Sequence, residues 1–215
     1  FGTGQGWMAD YSTVIGERRQ LTLADGSVVD LNTDSAIDVR FDAGQRLIRL
    51  VRGEILIRSG VDAAGRPLRV ASEQGIMEPL GTRFSVRQLD GVTHLAVLEG
   101  RVRATPENAT PQIIEAGKQV SFGAAAFGPL RPASEQDTGW TQGMLVAENL
   151  PLRDFLHELT RYRPGRLHCD ESAADLRISG GFQLDNSDAI LAALPTTLPV
   201  TVSYRTRYWV TVSKA

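Results

Sequence analysis

Apolar and polar positions alternate in short segments between residues 16 and 122. Around Asp25-Gly26 the sequence reads RRQLTLADGSVVDLN, and around Asp90-Gly91 it reads GTRFSVRQLDGVTHLAVLEG. Alternation places every second side chain on the same face of a strand, and Asp-Gly accepts the positive φ of tight hairpin turns. The pattern therefore predicts β-hairpins at both dipeptides, within a β-rich region.

One unit of this pattern recurs along the chain. LVRGEILI and VLEGRVRA each contain an apolar pair, a glycine flanked by charged residues, and then an alternating strand; IIEAGKQVSF is a looser third copy. Such repeats are typical of stacked or coiled strands. We expect a twisted sheet, a sandwich or a solenoid-like β roll, with chance similarity among hairpins as the alternative.

The period changes after a segment rich in small, polar and proline residues. The segment PLRDFLHELTRY has its apolar residues at i, i+3, i+4 and i+7, the spacing of one face of a helix: Leu152, Phe155, Leu156 and Leu159. Pro151 suits the first position of this helix. Strand-like segments, GMLVAENL and RLHCD, precede and follow it.

A second helix repeats the same order of elements. Cap-type residues occupy 185–187, and Ile190, Leu191 and Leu194 form the apolar face. Pro195 and Pro199 are expected to end this helix. Extended segments ISGGFQL and PVTVSYRTRYWVTVS surround it, so this part of the chain reads β-α-β, then β-α-β-β.

The sequence thus divides into four parts. Residues 1–15 are interpreted as a linker or cut end, residues 16–133 as a β-rich domain, residues 134–139 as a linker, and residues 140–215 as a second domain. The expected fold class is a mainly β domain followed by a small α+β domain of two β-α-β motifs.

Composition and charge restrict the classes of function. The formal net charge is −2, so we expect no broad attraction to nucleic acid or anionic lipid. No apolar run reaches the roughly 18 residues that span a bilayer. The single cysteine cannot form an internal disulfide.

His168 and Cys169, with Asp170 after them, are the candidates for metal binding or catalysis. Neighbouring residues of a strand point to opposite faces, so His168 and Cys169 cannot easily share an ion or act as base and nucleophile. The sequence contains no C-x-x-C and no H-x-x-x-H. We therefore expect no metal, no cofactor and no enzymatic activity.

Two strands of the second domain are candidates for pairing with a partner protein, because small β-α-β domains leave open sheet edges. One contains Ile178, Gly180 and Phe182; the other is the terminal strand with Tyr208, Trp209 and Val210. The pair of glycines at 180 and 181 fits either a close backbone approach or a bulge.

Arginine and aromatic residues cluster where a polar turn adjoins the terminal strand. The residues concerned are Arg205, Arg207, Tyr208 and Trp209. Arg, Tyr and Trp concentrate in interface hot spots. These side chains are therefore candidate partner-binding residues, with ordinary packing as the alternative.

The chain resembles the periplasmic part of FecR-type sigma-factor regulators. The matching segments are LADGSVVDLNTDSAIDVRF, RGEILI, GTRFSVR and VLEGRV, followed by WTQGMLVAENLPLRDFLHELTRY through ISGGFQLDNSDAILAALPTTLPV. The C-terminal part is also similar to the short N-terminal domain of secretins and TonB-dependent receptors.

This resemblance implies a signalling function. The chain would be the periplasmic module of an inner-membrane anti-sigma protein, without the cytosolic segment and the membrane helix that such proteins carry. Its partner would be the signalling domain of an outer-membrane TonB-dependent siderophore transporter, and the signal would reach a sigma factor. A carbohydrate-binding β module or a structural dimerisation module is the alternative.

Overall fold

The computed structural model describes residues 8–215. The interpretation of residues 1–15 as a linker or cut end falls in part on residues 1–7, which lie outside the described residues. In the remainder of this segment, Tyr11–Ser12 form a short strand that pairs with Ala36 and Ile37. Two residues are too short a stretch for alternation to predict a strand.

The chain forms two compact units. Unit 1 comprises Arg18–Glu135 and the described residues up to Val14, and unit 2 comprises Ile15–Glu17 and Gln136–Ala215. The end of Arg18–Glu135 falls within residues 134–139, the segment interpreted as a linker.

Unit 1 is a single 13-stranded sheet, which confirms that this part of the chain is mainly β. Its strands are β1 (Tyr11–Ser12), β2 (Arg19–Thr22), β3 (Val28–Leu31), β4 (Ala36–Phe41), β5 (Arg46–Arg58), β6 (Leu68–Ala71), β7 (Gly75–Pro79), β8 (Arg83–Leu89), β9 (Val92–Glu99), β10 (Arg101–Pro106), β11 (Gln112–Glu115), β12 (Lys118–Phe122) and β13 (Arg131–Pro132). The Asp-Gly dipeptides lie in the β2–β3 and β8–β9 turns, as predicted.

The long strand β5 divides this sheet into two halves. Its first half pairs with β4 and, in parallel, with β6. Together with these strands it forms half-sheet I, which continues from β6 through β7 and β10 to β11 on one side and from β4 to β1 on the other. Its second half, from Gly53 onward, pairs with β3 and β8. Together with these strands it forms half-sheet II, which continues from β8 through β9 and β12 to β13 on one side and from β3 to β2 on the other.

Glycines with positive φ stand where the chain passes from one half-sheet to the other. Gly53 (φ 83°) lies within β5, Gly100 (φ 72°) between β9 and β10, and Gly117 (φ 82°) between β11 and β12. Only glycine adopts this conformation readily. These are the glycines of the three recurring segments, so the recurrence marks corners of a sheet that coils on itself.

The two half-sheets enclose one hydrophobic core. The fully buried side chains come from both halves and include Leu31, Ile37, Ile48, Leu50, Ile55, Ile57, Met77, Phe84, Leu95, Ile114 and Phe122. They occupy alternate positions of their strands, as period-two patterning requires. Burial of these side chains is the main source of stability for unit 1.

A buried polar network holds the corner between β3 and β4. Asn32 Nδ2 donates to Glu54 Oε1 at 2.9 Å, and the Thr13 hydroxyl donates to the Asn32 carbonyl at 2.6 Å. The Glu54 N–H donates to Ser35 Oγ at 2.9 Å. All four residues are buried, so these hydrogen bonds satisfy polar groups that would otherwise be costly to bury.

Unit 2 has the predicted order of strands and helices. The elements are β14 (Met144–Pro151), α1 (Leu152–Thr160), β15 (Arg166–Cys169), β16 (Arg177–Gln183), α2 (Ser187–Thr197), β17 (Val200–Thr206) and β18 (Trp209–Lys214), with 3-10 segments at Glu135–Gln142 and Leu184–Asn186. The apolar faces predicted for both helices are buried. Likeness to the short domain of secretins and TonB-dependent receptors stays a prediction.

The strands of unit 2 form two small sheets. One contains β14 and β16, which are antiparallel; the other has the order β15-β18-β17, with β15 parallel and β17 antiparallel to β18. The two strands of the first motif, β14 and β15, therefore lie in different sheets. Periodicity reveals the elements but not this exchange of pairing partners between the motifs.

The helix boundaries differ from the sequence-based expectation at two prolines. Pro151 is the N-cap of α1, which begins one residue later than expected. Pro195 does not end α2, which continues to Thr197. A proline in the last turn removes a single backbone donor, and the Leu198 N–H still donates to the Leu194 carbonyl at 2.9 Å.

No helix among residues 8–215 combines the length and the apolar character needed to cross a membrane.

Candidate functional site

The terminal strand β18 is the centre of its sheet, and this corrects the sequence-based expectation. We expected the terminal strand with Tyr208, Trp209 and Val210 to offer an open edge, but β15 and β17 flank it. Its backbone groups are therefore paired on both sides. The parallel partner β15 lies far away in the sequence, so local patterning could not reveal this position.

The two faces of this three-stranded sheet differ sharply. Val210 and Val212 of β18 are fully buried on one face. The opposite face, here called the outer face, carries side chains that are exposed or half-buried: Arg166, His168, Thr201, Ser203, Arg205, Trp209, Thr211 and Ser213. Alternation along each strand assigns these residues to that face, except Arg205. Arg205 lies at a bulge of β17, and its contact with the Trp209 ring places it on this face. None of these outer-face residues is acidic or aliphatic.

Trp209 lies between two guanidinium groups on the outer face. The guanidinium carbon of Arg205 is 4.7 Å from the centroid of the indole ring, and that of Arg166 is 5.8 Å away. Both distances fall in the range of cation–π contacts. Trp209 nevertheless stays 38% exposed, so the cluster is available to a partner.

Arg207 and Tyr208, the other two residues of the predicted cluster, lie in the β17–β18 turn. The Arg207 guanidinium is 5.7 Å from the Tyr208 ring, and Tyr208 is 54% exposed. The structure thus brings together Arg205 with Trp209, and Arg207 with Tyr208. Arg166 and His168 could not be assigned to this cluster from the sequence, because only the parallel pairing of β15 with β18 places them on this face.

Gly165 fixes the position of Arg166 next to Trp209. Its φ is +92°, and a Cβ there would lie 2.1 Å from the Tyr208 carbonyl oxygen. The Arg166 N–H donates to that same oxygen at 2.6 Å. A glycine is therefore required for the close approach that sets Arg166 opposite Trp209. Between these strands lies an open concavity of about 570 Å³, lined in part by Arg166, Arg205 and Trp209.

The strand β16 has one open edge. The Leu184 N–H donates to the Gly143 carbonyl at 2.8 Å, and the Leu152 N–H donates to the Leu176 carbonyl at 2.7 Å. Hydrogen bonding alternates along an antiparallel pair. Even-numbered residues of β16 therefore face β14, and the odd-numbered ones direct their N–H and C=O groups to the open edge.

Ile178 and Phe182, the candidate residues of β16 that have side chains, direct these side chains towards the interior of unit 2. Ile178 is 4% exposed, and the ring of Phe182 contacts that of Phe155 at 4.8 Å between centroids. Gly180 has a φ of +142°, and β14 bulges opposite it between Ala147 and Leu150. Any partner of this strand would thus contact its backbone rather than the side chains of Ile178 and Phe182.

The stretch around Cys169 has the geometry of an ordinary strand end. His168 is exposed on the outer face, and Cys169 is half-buried. Burial, and then the charge of Asp170, raise the pKa of the Cys169 thiol, which disfavours the reactive thiolate. The Asp170 carboxylate accepts hydrogen bonds from the N–H and hydroxyl of Ser172, at 3.0 and 2.6 Å.

Metal-ligand residues do not converge in the described part of the chain. Among residues 8–215 no group of three or more His, Cys, Asp and Glu side chains could hold an ion. Glu158 of α1 forms an ion pair with Arg161 at 3.1 Å.

Comparison with known proteins gives two results for this chain. Residues 9–103 match the family model described as FecR protein. Two crystal structures, at 2.50 and 1.65 Å resolution, of "a putative anti-sigma factor" from Parabacteroides distasonis match the fold with TM-scores of 0.76 and 0.77. Each of the two matches covers 95% of this chain and 98% of the chain in the crystal structure, and the sequence identity is 23%. Comparison with curated proteins found no match.

The family match and the fold match cover different extents of the chain. The fold match includes both units, and at 23% identity it establishes the fold alone. The family match lies within the coiled sheet and includes the corners at Gly53 and Gly100. Residues 9–103, somewhat less than half of the chain, are therefore similar to the FecR family.

Proposed function

We propose that this chain is the periplasmic module of a signalling anti-sigma regulator, which binds the signalling domain of an outer-membrane TonB-dependent siderophore transporter. The observation that carries this proposal is the FecR match over residues 9–103, on a chain whose fold resembles that of a protein described as an anti-sigma factor. A sigma factor would be reached through segments outside this sequence.

The exposed surfaces of unit 2 support a binding function rather than an enzymatic one. Its sheets are small, its outer face is open, and β16 presents backbone groups to solvent. Partner proteins often add a strand to such an edge. Natural edges usually carry charge, proline or a cover against unwanted pairing. The middle of β16 instead reads Ser179, Gly180, Gly181, which leaves the backbone accessible.

We therefore assign transporter binding to the open edge of β16, next to Ile178, Gly180 and Phe182. An extended segment of the transporter domain would pair with the outward N–H and C=O groups of the odd-numbered residues. Backbone hydrogen bonds would supply affinity, and the lack of side chains at Gly180 and Gly181 would permit the close approach.

Calorimetric titration of the full chain with the transporter's isolated signalling domain tests this assignment. Gln183 has a φ of −78°, close to the value that proline requires, and its N–H faces the open edge. Gln183→Pro should thus remove an edge donor without strain, while Gln183→Ala is the matched control. We expect micromolar binding for the parent chain and the control, and at least about tenfold weaker binding for Gln183→Pro.

Two results would contradict the proposal at different levels. Absence of heat for every version of the chain would overturn transporter binding itself. Equal affinity for Gln183→Pro and Gln183→Ala would leave transporter binding intact but would exclude the β16 edge. Thermal unfolding of both variants, compared with the parent, verifies that each chain is folded.

A further inference from the structure

We propose that the outer face around Trp209 is a second binding site, which recognises an acidic extended segment of a partner protein. The site consists of Arg166, His168, Arg205 and Trp209. It deepens the proposed function by naming the chemistry of a partner, but it is a different surface from the β16 edge.

The two arginines at Trp209 carry charge that unit 2 does not neutralise. Neither guanidinium forms an ion pair with a carboxylate of residues 8–215; each contacts the indole ring instead. The ion pairs within unit 2 use other arginines, namely Arg153, Arg161 and Arg163. The outer face is therefore a cationic surface within a chain whose overall charge is −2.

The chemistry of the cluster favours carboxylates over other groups. A guanidinium group binds a carboxylate through two parallel hydrogen bonds, and stacking on an aromatic ring leaves its edge donors available for this. The indole ring also holds both arginines in place before binding, which reduces the entropy lost when a ligand binds. An apolar ligand would have to desolvate both cations without pairing them.

The spacing of the arginines fits carboxylates on an extended chain. Their guanidinium carbons lie 4.7 and 5.8 Å from the same ring centroid, so the sum of these distances, about 10.5 Å, is their largest separation. Side chains two residues apart on a strand are about 6.7 Å apart and point the same way. Acidic residues at every second position can therefore reach both arginines, and exposed hydroxyls of Thr201 and Ser203 extend the polar surface along the face.

A defined peptide probe tests the inference without any transporter domain. An end-blocked peptide of five Asp-Thr repeats is titrated into the full chain, with five Asn-Thr repeats as the uncharged control. Binding is followed by calorimetry at two salt concentrations, about 50 and about 300 mM, since exposed charge interactions weaken with ionic strength. We expect saturable binding of the acidic peptide only, at least about fivefold weaker at the higher salt.

Charge reversal locates the site. The double variant Arg166→Glu with Arg205→Glu should weaken binding of the acidic peptide at least about tenfold, and Trp209→Ala should weaken it because the arginines lose their support. Arg103→Glu makes the same type of charge change on an exposed strand position of unit 1 and should leave the affinity unchanged. Circular dichroism of each variant establishes that it is folded.

Each remaining outcome would overturn the proposal. Equal binding of the Asn-Thr and Asp-Thr peptides would show that carboxylates are not recognised, and unchanged affinity in the double variant would place the site elsewhere. Trp209-dependent binding of neutral glycans, without binding of the acidic peptide, would make this face a carbohydrate site. These results are independent of whether the transporter domain binds at β16.

Discussion

The two units use arginine in different ways. In unit 1, Arg46 is buried against the carboxylate of Asp25, with side chains that are 8% and 0% exposed. In unit 2, Arg205 is exposed and lies on the ring of Trp209. A buried charge needs a partner of opposite charge within the fold. An exposed guanidinium group on an aromatic ring can instead bind a group of another molecule. The contrast is between an arginine that pairs with a carboxylate inside its own unit and an arginine on a polar surface that is available for binding.

The glycines also differ in their role between the two units. In unit 1, the corners of the sheet require the backbone of a glycine to lie close to a neighbouring strand or turn. A Cβ on Gly53 would lie 2.6 Å from Ser35 Cα, and one on Gly100 would lie 2.2 Å from the Gly81 carbonyl oxygen. Gly165 of unit 2 makes a similar approach to Tyr208, but there the approach positions the side chains of an exposed face. Close backbone approach at a glycine thus allows the sheet to coil around its core in unit 1 and positions exposed side chains in unit 2.

Gly53→Ala should have the largest effect on stability. The new Cβ meets Ser35 and the residue keeps a φ of +83°, so overpacking and backbone strain together should cost about 4 kcal/mol. Gly26→Ala is the matched control, because Gly26 has the same φ and nothing within 4 Å of the added atom; we expect a loss of about 1 kcal/mol. Urea unfolding, followed by hydrogen exchange of segments from Arg18–Glu135, measures both.

Equal losses for the two alanine variants would show that the corner tolerates a Cβ and that backbone strain alone matters. The exchange of unit 2 amides should change little in either variant, because its core is separate. A parallel loss of protection in unit 2 would contradict the division into two cooperative units.

How far the sequence predicts this molecule depends on whether the signal is local. Alternation, Asp-Gly turns and helical spacing are local, and they predicted a β-rich unit 1 with hairpins at its two Asp-Gly turns, and the order β-α-β, β-α-β-β of unit 2. They did not predict the short strands β1, β6, β7 and β13. The recurring segments indicated stacked or coiled strands, but they did not decide between a twisted sheet, a sandwich and a β roll. The partner of each strand was not predictable in unit 2, since pairing of β15 with β18 depends on contacts between distant segments.

The candidate site shows the same limit. Trp209 and Arg205 are four residues apart, so their residue types indicated a cluster from the sequence alone. Arg166 and His168 join it only through the parallel register, in which Arg166 is opposite Trp209. In unit 1, the pairing of Arg46 with Asp25 was likewise not predictable, because the two residues are 21 positions apart and the sequence identified Asp25 only as a turn residue.

Removal of the Arg46 guanidinium group should have the second largest effect on stability. Arg46→Met leaves the Asp25 carboxylate buried without its cation, and we expect a loss of about 3 kcal/mol. The control is Arg52→Met, because Arg52 pairs with Asp34 where both side chains are about half exposed; exposed pairs contribute at most about 1 kcal/mol. Chemical denaturation at neutral pH distinguishes the two, and equal losses would mean that burial of the Asp25 pair is unimportant.

Acid should weaken unit 1 through the same carboxylate. Burial alone would raise the pKa of Asp25, but hydrogen bonds from the Ser27 hydroxyl and N–H and from Arg46 outweigh it, so the pKa is lowered. A lowered folded-state pKa means that the ionised group stabilises the fold above its unfolded pKa of about 3.9, and that this contribution is lost as pH falls through the folded value. The stability advantage of the parent over Asp25→Asn should therefore shrink from about pH 6 to about pH 2. An advantage that stays constant would rule out this linkage.

The smallest effect is expected at the start of α2, where unit 2 relies on a local contact. Asn186 Oδ1 accepts a hydrogen bond from the Ala189 N–H at 3.0 Å, whereas Pro151 gives α1 no side-chain cap. Asn186→Ala should cost about 1 kcal/mol, and Asn186→Asp should cost almost nothing because aspartate caps equally well. Fluorescence of Trp140 and Trp209, both in unit 2, can follow urea unfolding. If the alanine and aspartate variants lose the same stability, the packing of Ile190, Leu191 and Leu194 is sufficient to hold α2 in place without its cap.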